Sequence, residues 1–158
     1  MVLANEATKI LMEKFPTFKD YSELETWRDC FEGREITFHA IMAAFSSYVI
    51  DIINDNPDRE KLASIFDLAE YLMCNGEHSV QEAVATCFLE NLINVSSHGD
   101  FDITIVVPYL GKESIEYCKA WDEFTGVKTE GLWDKENSLS SIMKFLRERL
   151  SQYRKDPK

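Results

Sequence analysis

Residues 57–95 read PDREKLASIFDLAEYLMCNGEHSVQEAVATCFLENLINV, and this stretch decides the fold. In its first half, apolar residues recur at intervals of three and four, which is the spacing of one helix face. These residues are Leu62, Ile65, Phe66, Ala69, Leu72 and Met73. The spacing predicts a helix over residues 57–75, with Asn56 as its N-cap, Pro57 at its first position and Asn75-Gly76 as a left-handed stop.

The second half of the stretch is apolar on nearly every side. Ser79 and Glu82 match a capping box, and we predict a helix over residues 79–97 directly after it. Its apolar residues include Val80, Ala83, Val84, Ala85, Cys87, Phe88, Leu89, Leu92, Ile93 and Val95. A helix that is apolar all round is buried in the core. The short link to the preceding helix predicts that the two form an antiparallel hairpin.

Further helices are predicted on both sides of this hairpin. An apolar stripe from Phe38 to Ile53 predicts a helix over residues 36–54. Other helices are predicted over residues 3–14, over 22–32 behind a Ser22/Glu25 capping box, over 113–124 and over 136–153, with a loop at 126–135. For residues 103–107 we favour a short helix or an extended loop over a strand, because only residues 35–38 could pair with a strand there.

Length and composition predict one domain. The chain has 158 residues, of which 45% are hydrophobic, enough to bury a core without disulfides. Its four cysteines form no CxxC pair and no metal-ligand spacing, so we expect reduced thiols, with Cys30, Cys74 and Cys87 as small buried apolar residues. The expected fold is an all-α, single-domain bundle of six to seven helices over residues 1–158, built around the central antiparallel hairpin.

No targeting, membrane or catalytic motif stands out in the sequence. Glu6 precedes any lysine at the N-terminus, and no segment reaches roughly eighteen uninterrupted apolar residues. The sequence contains no GxGxxG, GxxxxGK[ST], HExxH or GxSxG motif. The loop at residues 98–102 offers a histidine and two aspartates, but such triplets are common in solvated loops. We expect a cytoplasmic, non-catalytic protein without cofactor or metal.

Negative charge is concentrated between residues 51 and 102. This segment has 11 acids and two bases, a net charge of −9, whereas residues 1–50 carry −3 and residues 103–158 carry +1. A surface of one sign steers partners of the opposite sign and repels nucleic acid and anionic lipid. The asymmetry favours a basic protein partner over nucleic acid or a membrane, although an acidic surface can also serve solubility alone.

Several segments of the chain resemble a known family. They read IFDLAEYL at 65–72, GEHSVQEA at 76–83, CFLENLIN at 87–94 and YLGKES at 109–114, followed by Trp121. In these segments the chain is similar to small helical bacterial proteins associated with polymorphic toxin loci, including immunity proteins of contact-dependent growth inhibition systems. The resemblance covers residues 36–125. It implies a binder of a cognate toxin and transfers no catalytic residue.

The resemblance and the charge together predict an immunity protein that binds and neutralises a cognate basic toxin, with a nuclease domain as the leading candidate. The alternatives are a non-catalytic helical adaptor and, third, an unrecognised enzyme. Aromatic residues ringed by acids suggest anchors for a partner, although Trp121 and Trp133 also fit the edge of a core. The predicted partner-binding residues are Asp67, Glu70, Glu77, Asp100, Asp102, Asp122, Glu123, Trp133 and Asp134. The oligomeric state is left open.

Overall fold

The structure, a computed structural model, describes residues 1–134. The α-helices in this part are α1 (Ala4–Lys14), α2 (Ser22–Cys30), α3 (Phe38–Asp55), α4 (Arg59–Asn75), α5 (His78–Glu82), α6 (Glu90–Ser97) and α7 (Lys112–Thr125). A π-helix, Ala83–Leu89, joins α5 to α6, so residues 78–97 form one helical rod. Short 3₁₀ segments lie at Pro16–Asp20, Ile103–Ile105 and Val107–Tyr109. The chain is an all-α bundle.

The helix predictions for the described residues are confirmed, with ends shifted by one or two residues. The segment 103–107 forms 3₁₀ turns rather than a strand, and no strand occurs within residues 1–134. Residues 126–134 form the predicted loop and turn. The helix predicted over residues 136–153 lies outside the described residues. In the described part, no helix is long and apolar enough to cross a membrane.

Contacts between helices establish their directions. Residue numbers rise together along α3 and the 78–97 rod, and also along α7 and the rod. The contacting pairs are His39–Glu82 and Phe45–Phe88 for α3, and Tyr117–Glu90 and Trp121–Asn94 for α7. These three helices are therefore parallel. The α4 helix runs the opposite way, because only Gly76 and Glu77 separate it from the rod and its Phe66 ring lies 5.7 Å from Phe88.

The rod occupies the centre of the bundle, as its apolar sequence predicts. Ring centroids of Phe18 and Phe45 lie 5.0 Å apart, and those of Phe45 and Phe88 lie 5.6 Å apart. Together with Phe66, these rings form a continuous aromatic row from the first 3₁₀ segment through α3 and the rod to α4. All four side chains are fully buried. This row joins the elements that the sequence places far apart.

Both ends of α4 differ from the prediction. Its N-cap is Asp58 rather than Asn56, and the Asp58 carboxylate accepts hydrogen bonds from the backbone of Glu60 and Lys61. The stop is not left-handed, since Gly76 has φ −68° and ψ 156°. Glycine is needed there for space: an added Cβ would lie 2.6 Å from the Leu72 carbonyl oxygen.

Both predicted capping boxes are wrong. The rod begins at His78 with Glu77 as its N-cap, and the Ser79 hydroxyl donates to the Glu77 carboxylate instead of capping the helix. The N-cap of α2 is Tyr21, without a side-chain cap. A four-residue pattern cannot show which residue leaves helical geometry first, because tertiary contacts decide that.

Cysteine burial also differs from the prediction. Cys30 and Cys74 are exposed, Cys87 is half-buried, and Cys118 is the buried thiol. Burial, together with the nearby Asp122 and Glu90 carboxylates, raises the pKa of Cys118 to about 12. All four cysteines are free.

Candidate protein-binding surface

Three helices direct their C-termini toward one end of the bundle. Since α3, the rod and α7 are parallel, their last carbonyl groups lie at the same end, where each helix contributes partial negative charge. A lysine or arginine in the last turn normally offsets this charge, but none occurs in the last turn of α3, α6 or α7. The three C-termini therefore add partial negative charge to this end, where the antiparallel α4 also brings its N-terminus, capped by Asp58.

Exposed carboxylates add to the charge at this end. Asp55 ends α3, Asp58 caps α4, and Asp100 and Asp102 follow α6. The Asn54 side chain donates to the Asp100 carbonyl oxygen at 3.1 Å and thus holds the two segments together. Within residues 1–134 none of these four carboxylates forms an ion pair. We call the surface formed by Asp55, Asp58, Asp100 and Asp102 the acidic end.

The predicted residues Asp100 and Asp102 thus belong to one surface, as the sequence suggested. Asp102 also caps the following 3₁₀ turn, accepting from the Thr104 hydroxyl at 2.6 Å and from its backbone N–H at 2.9 Å. These hydrogen bonds hold the pKa of Asp102 below its ordinary value, and the bond from the Thr104 hydroxyl has the larger effect. Its carboxylate is therefore ionised at neutral pH.

Glu70 does not belong to that surface, which corrects the prediction. Its half-buried carboxylate accepts from the backbone of Glu113 at 2.8 Å and from both the backbone and the hydroxyl of Ser114, at 3.0 and 2.7 Å. Glu70 therefore caps α7 from a position 43 residues earlier in the chain. Gly111 makes room for it, because an added Cβ would lie 2.2 Å from the Glu70 side chain.

Glu77 has a comparable structural role. Its carboxylate accepts from the Ala4 backbone at 3.1 Å, which caps α1, and its own N–H donates to the Val2 carbonyl at 2.9 Å. The side chain is half-buried rather than exposed. We call the region around Glu70 and Glu77 the capping end. It holds the N-termini of α1, α5 and α7, whose partial positive charge these carboxylates offset.

The predicted acidic face is therefore divided between opposite ends of the molecule. The rod of residues 78–97 separates Glu77 from the Asp100 loop, and twenty helical residues span roughly 30 Å. Asp67 is exposed in the middle of α4, between the two ends. Of the acids predicted on the hairpin and its exit loop, only Asp100 and Asp102 lie at the acidic end.

Asp122 and Trp133 stabilise the 126–134 loop. Asp122 is 2% exposed, and its carboxylate accepts from the backbone and hydroxyl of Thr129, both at 2.7 Å, and from the Trp133 indole at 2.9 Å. The Trp133 ring is half-buried against the core, with the ammonium groups of Lys119 and Lys128 above it at 5.3 and 5.9 Å. Asp122 is therefore a buried support of this loop, and Trp133 lies at the edge of the core, as the alternative interpretation of the sequence expected; contact of either residue with a partner stays a prediction.

A different aromatic residue is available to a partner. Phe124 is 82% exposed near the C-terminus of α7, beside the exposed, predicted Glu123. The predicted Asp134 is also exposed, just beyond Trp133. The sequence places Phe124 among the aromatic residues ringed by acids but does not separate it from Trp121, whose ring lies 5.7 Å away and is partly buried. An exposed aromatic among acids is a candidate anchor for a protein partner.

A cleft lies at the capping end. It has a volume of about 520 Å³ between the start of α1, the start of α3 and the start of α5. Thr37, His39 and Ser79 line it, but Ser79 donates to Glu77, and His39 lies 3.9 Å from Glu82. A serine nucleophile is usually activated by a neighbouring base such as histidine, but the hydrogen-bond partner of Ser79 among the described residues is the Glu77 carboxylate, which also caps α1. The described residues also contain no cluster of three histidine, cysteine or carboxylate side chains suited to a metal ion.

These features define a small all-helical domain with a group of exposed carboxylates at one end. A family model described as a domain of unknown function, DUF7674, matches residues 8–126, so the chain belongs to this family. The matched region contains the whole acidic end and both capping glutamates, whereas Trp133 and Asp134 lie beyond it. No curated protein and no solved structure matches the chain.

Proposed function

We propose that this chain is a cytoplasmic immunity protein, which binds and neutralises a cognate basic bacterial toxin through its acidic end. The leading candidate for the toxin is a nuclease domain. The observation that carries the proposal is the convergence of three helix C-termini with Asp55, Asp58, Asp100 and Asp102, none of them ion-paired to another described residue. The resemblance to toxin-associated immunity proteins points in the same direction.

The charge distribution suits such a partner. A nuclease presents cations to phosphate, so an inhibitor that covers those cations gains from an acidic face. Residues 1–134 contain 25 acids and 10 bases, a net charge of −15, which repels nucleic acid but attracts a basic protein. Steered encounter raises the association rate, which matters because an inhibitor must act before the toxin turns over.

Genomic neighbourhood distinguishes this proposal from the adaptor alternative. A large toxin gene directly upstream favours immunity, whereas its absence favours an adaptor for another cellular protein. If that toxin is present, co-expression with this chain should protect cells from it. Protection with no physical complex between the two proteins would point to catalytic inactivation, the third hypothesis.

Charge reversal tests the acidic end directly. We expect Asp55→Lys with Asp100→Lys to slow association with the toxin by about tenfold or more at low salt, because both lysines repel a basic partner. The wild-type association rate should itself fall steeply between low and physiological ionic strength, with a much smaller change in dissociation. Stopped-flow or surface-based kinetics would measure both rates.

The matched control is Glu25→Lys with Asp29→Lys, which changes the net charge equally on the exposed face of α2. It should slow association far less. Equal slowing by both double variants would mean that net charge acts without a defined surface. An association rate indifferent to salt and to both variants would refute the acidic end as the binding surface.

A further inference from the structure

A groove lined mainly by apolar residues, with some polar surface, crosses the acidic end. It has a volume of about 470 Å³, which lies within the range of roughly 300–1,000 Å³ typical of ligand pockets. One wall consists of Pro57, Arg59 and Leu62 at the start of α4, and the other includes Ile105 and Tyr109 from the 3₁₀ segments. Thr104 and Pro108 complete the lining, so five of its seven residues are apolar or aromatic.

The two sides of the groove are attached to the core. Leu62 is 1% exposed, and the Tyr109 ring is stacked on Phe66 at a centroid distance of 6.5 Å and an interplanar angle of 16°. Phe66 belongs to the buried aromatic row, so the position of Tyr109 follows from core packing. A preformed groove of this kind loses little conformational entropy when a side chain enters it.

Each side of the groove has a carboxylate next to its lining residues. Asp58 precedes Arg59, and its carboxylate is held by the backbone N–H groups of Glu60 and Lys61 at 2.9 and 3.2 Å. Asp102 lies beside the opposite wall, held by Thr104. Each carboxylate is thus fixed on its own segment while remaining exposed to solvent. An apolar site between two oriented anions is complementary to an apolar side chain between two cations.

We propose that this groove receives one large apolar side chain, flanked on both sides by lysine or arginine, from a basic protein partner. This inference rests on the proposed function and specifies what part of the toxin the acidic end holds. Arg59 is the one cation among the groove residues named above, it is exposed, and it forms no ion pair with residues 1–134. Its charge opposes the partner's cations, whereas its aliphatic stem adds apolar wall.

Two substitutions of Arg59 are therefore expected to have opposite effects on peptide binding. The probe is a fluorescein-labelled pentapeptide with tryptophan between two pairs of lysines, and its control has alanine in place of tryptophan. With the full chain, the tryptophan peptide should bind about tenfold tighter than the alanine peptide, since only the indole buries apolar area. Arg59→Ala should tighten binding of both peptides by removing repulsion. Arg59→Trp should instead fill the groove and abolish the preference for tryptophan.

The matched controls are Arg28→Ala and Arg28→Trp, which make the same changes on α2, where Arg28 is also exposed. Both should leave the tryptophan preference intact, and thermal melting would verify that every variant is folded. Equal binding of the two peptides to the wild-type chain overturns the groove proposal, as does an unchanged preference in folded Arg59→Trp.

Failure of the groove is distinguishable from failure of the immunity proposal. If Asp55→Lys with Asp100→Lys weakens toxin binding but Arg59→Trp does not, the groove is refuted and the immunity proposal stands. If the tryptophan peptide binds as expected but the chain neither binds nor protects against the neighbouring toxin, the groove is supported and the immunity proposal is refuted.

Discussion

The two ends of this bundle carry the same kind of residue in different roles. At the capping end, Glu70 and Glu77 bind backbone N–H groups 43 and 73 residues away in sequence, and both are half-buried. At the acidic end, Asp58 and Asp102 bind backbone only two or three residues away and stay exposed. A distant cap joins two helices, whereas a local cap leaves the carboxylate open to a partner. The charge count of a segment therefore does not measure its binding surface.

Asp122 is an exception to this comparison, because it lies near the end of α7 that reaches the acidic end but is buried like the capping glutamates. We expect Asp122→Ala to lower the free energy of unfolding by about 3 kcal/mol, since the Thr129 hydroxyl and N–H and the Trp133 indole lose their acceptor. Urea denaturation would measure the loss. Asp122→Asn, which keeps one acceptor oxygen, should lose less. A stable Asp122→Ala protein with impaired toxin binding would restore Asp122 to the binding surface.

Gly111→Ala should have the next largest effect, at the capping end. The added Cβ would displace the Glu70 carboxylate and remove the cap of α7, at a cost of about 2 kcal/mol in the free energy of unfolding. Chemical denaturation measures this quantity.

A double-mutant cycle provides the control for this position. In a Glu70→Ala background, Gly111→Ala should cost much less, because the atoms that it displaces are gone. Fully additive costs would mean that Gly111 and Glu70 act independently. The proposal that Gly111 makes room for the Glu70 cap of α7 would then be wrong.

Asp102 should give the smallest effect, visible only in acid. Its folded-state pKa is depressed by the Thr104 hydrogen bonds, so its contribution to stability is complete above the unfolded value of about 3.9 and is lost as the pH falls through the folded value. Asp102→Asn keeps a capping oxygen but cannot titrate. Below about pH 4, the urea midpoint of the wild type should fall relative to that of Asp102→Asn. If the two midpoints fall in parallel as the pH is lowered, the stabilising role of the Asp102 carboxylate is wrong.

The sequence predicted the helices well because helix periodicity is local. Leu62, Ile65, Phe66 and Leu72 fall on one face whatever they contact, and all four are buried. The all-round apolar pattern likewise identified the central rod. Local spacing could not reveal that part of this rod is a π-helix, Ala83–Leu89, because packing on all sides determines its pitch.

The candidate surface was only partly predictable, because burial of an acid depends on distant residues. Nothing near Glu70 in sequence indicates that Ser114 will donate to it, and nothing near Asp122 separates it from its exposed neighbour Glu123. One signal was available at Gly111. A glycine directly before a helix suggests either a positive φ or a close approach, and φ of −78° identifies the close approach.

The bond from Ala4 to Glu77 also constrains the order in which the chain can fold during synthesis. The α1 helix is made before its cap, which lies 73 residues later. At a synthesis rate of about 5–20 residues per second, the first helix waits roughly 4–15 s for that partner. During this interval α1 is a short amphipathic helix, which has marginal stability alone. The N-terminal segment should therefore become stable late, once the α4–α5 corner has emerged.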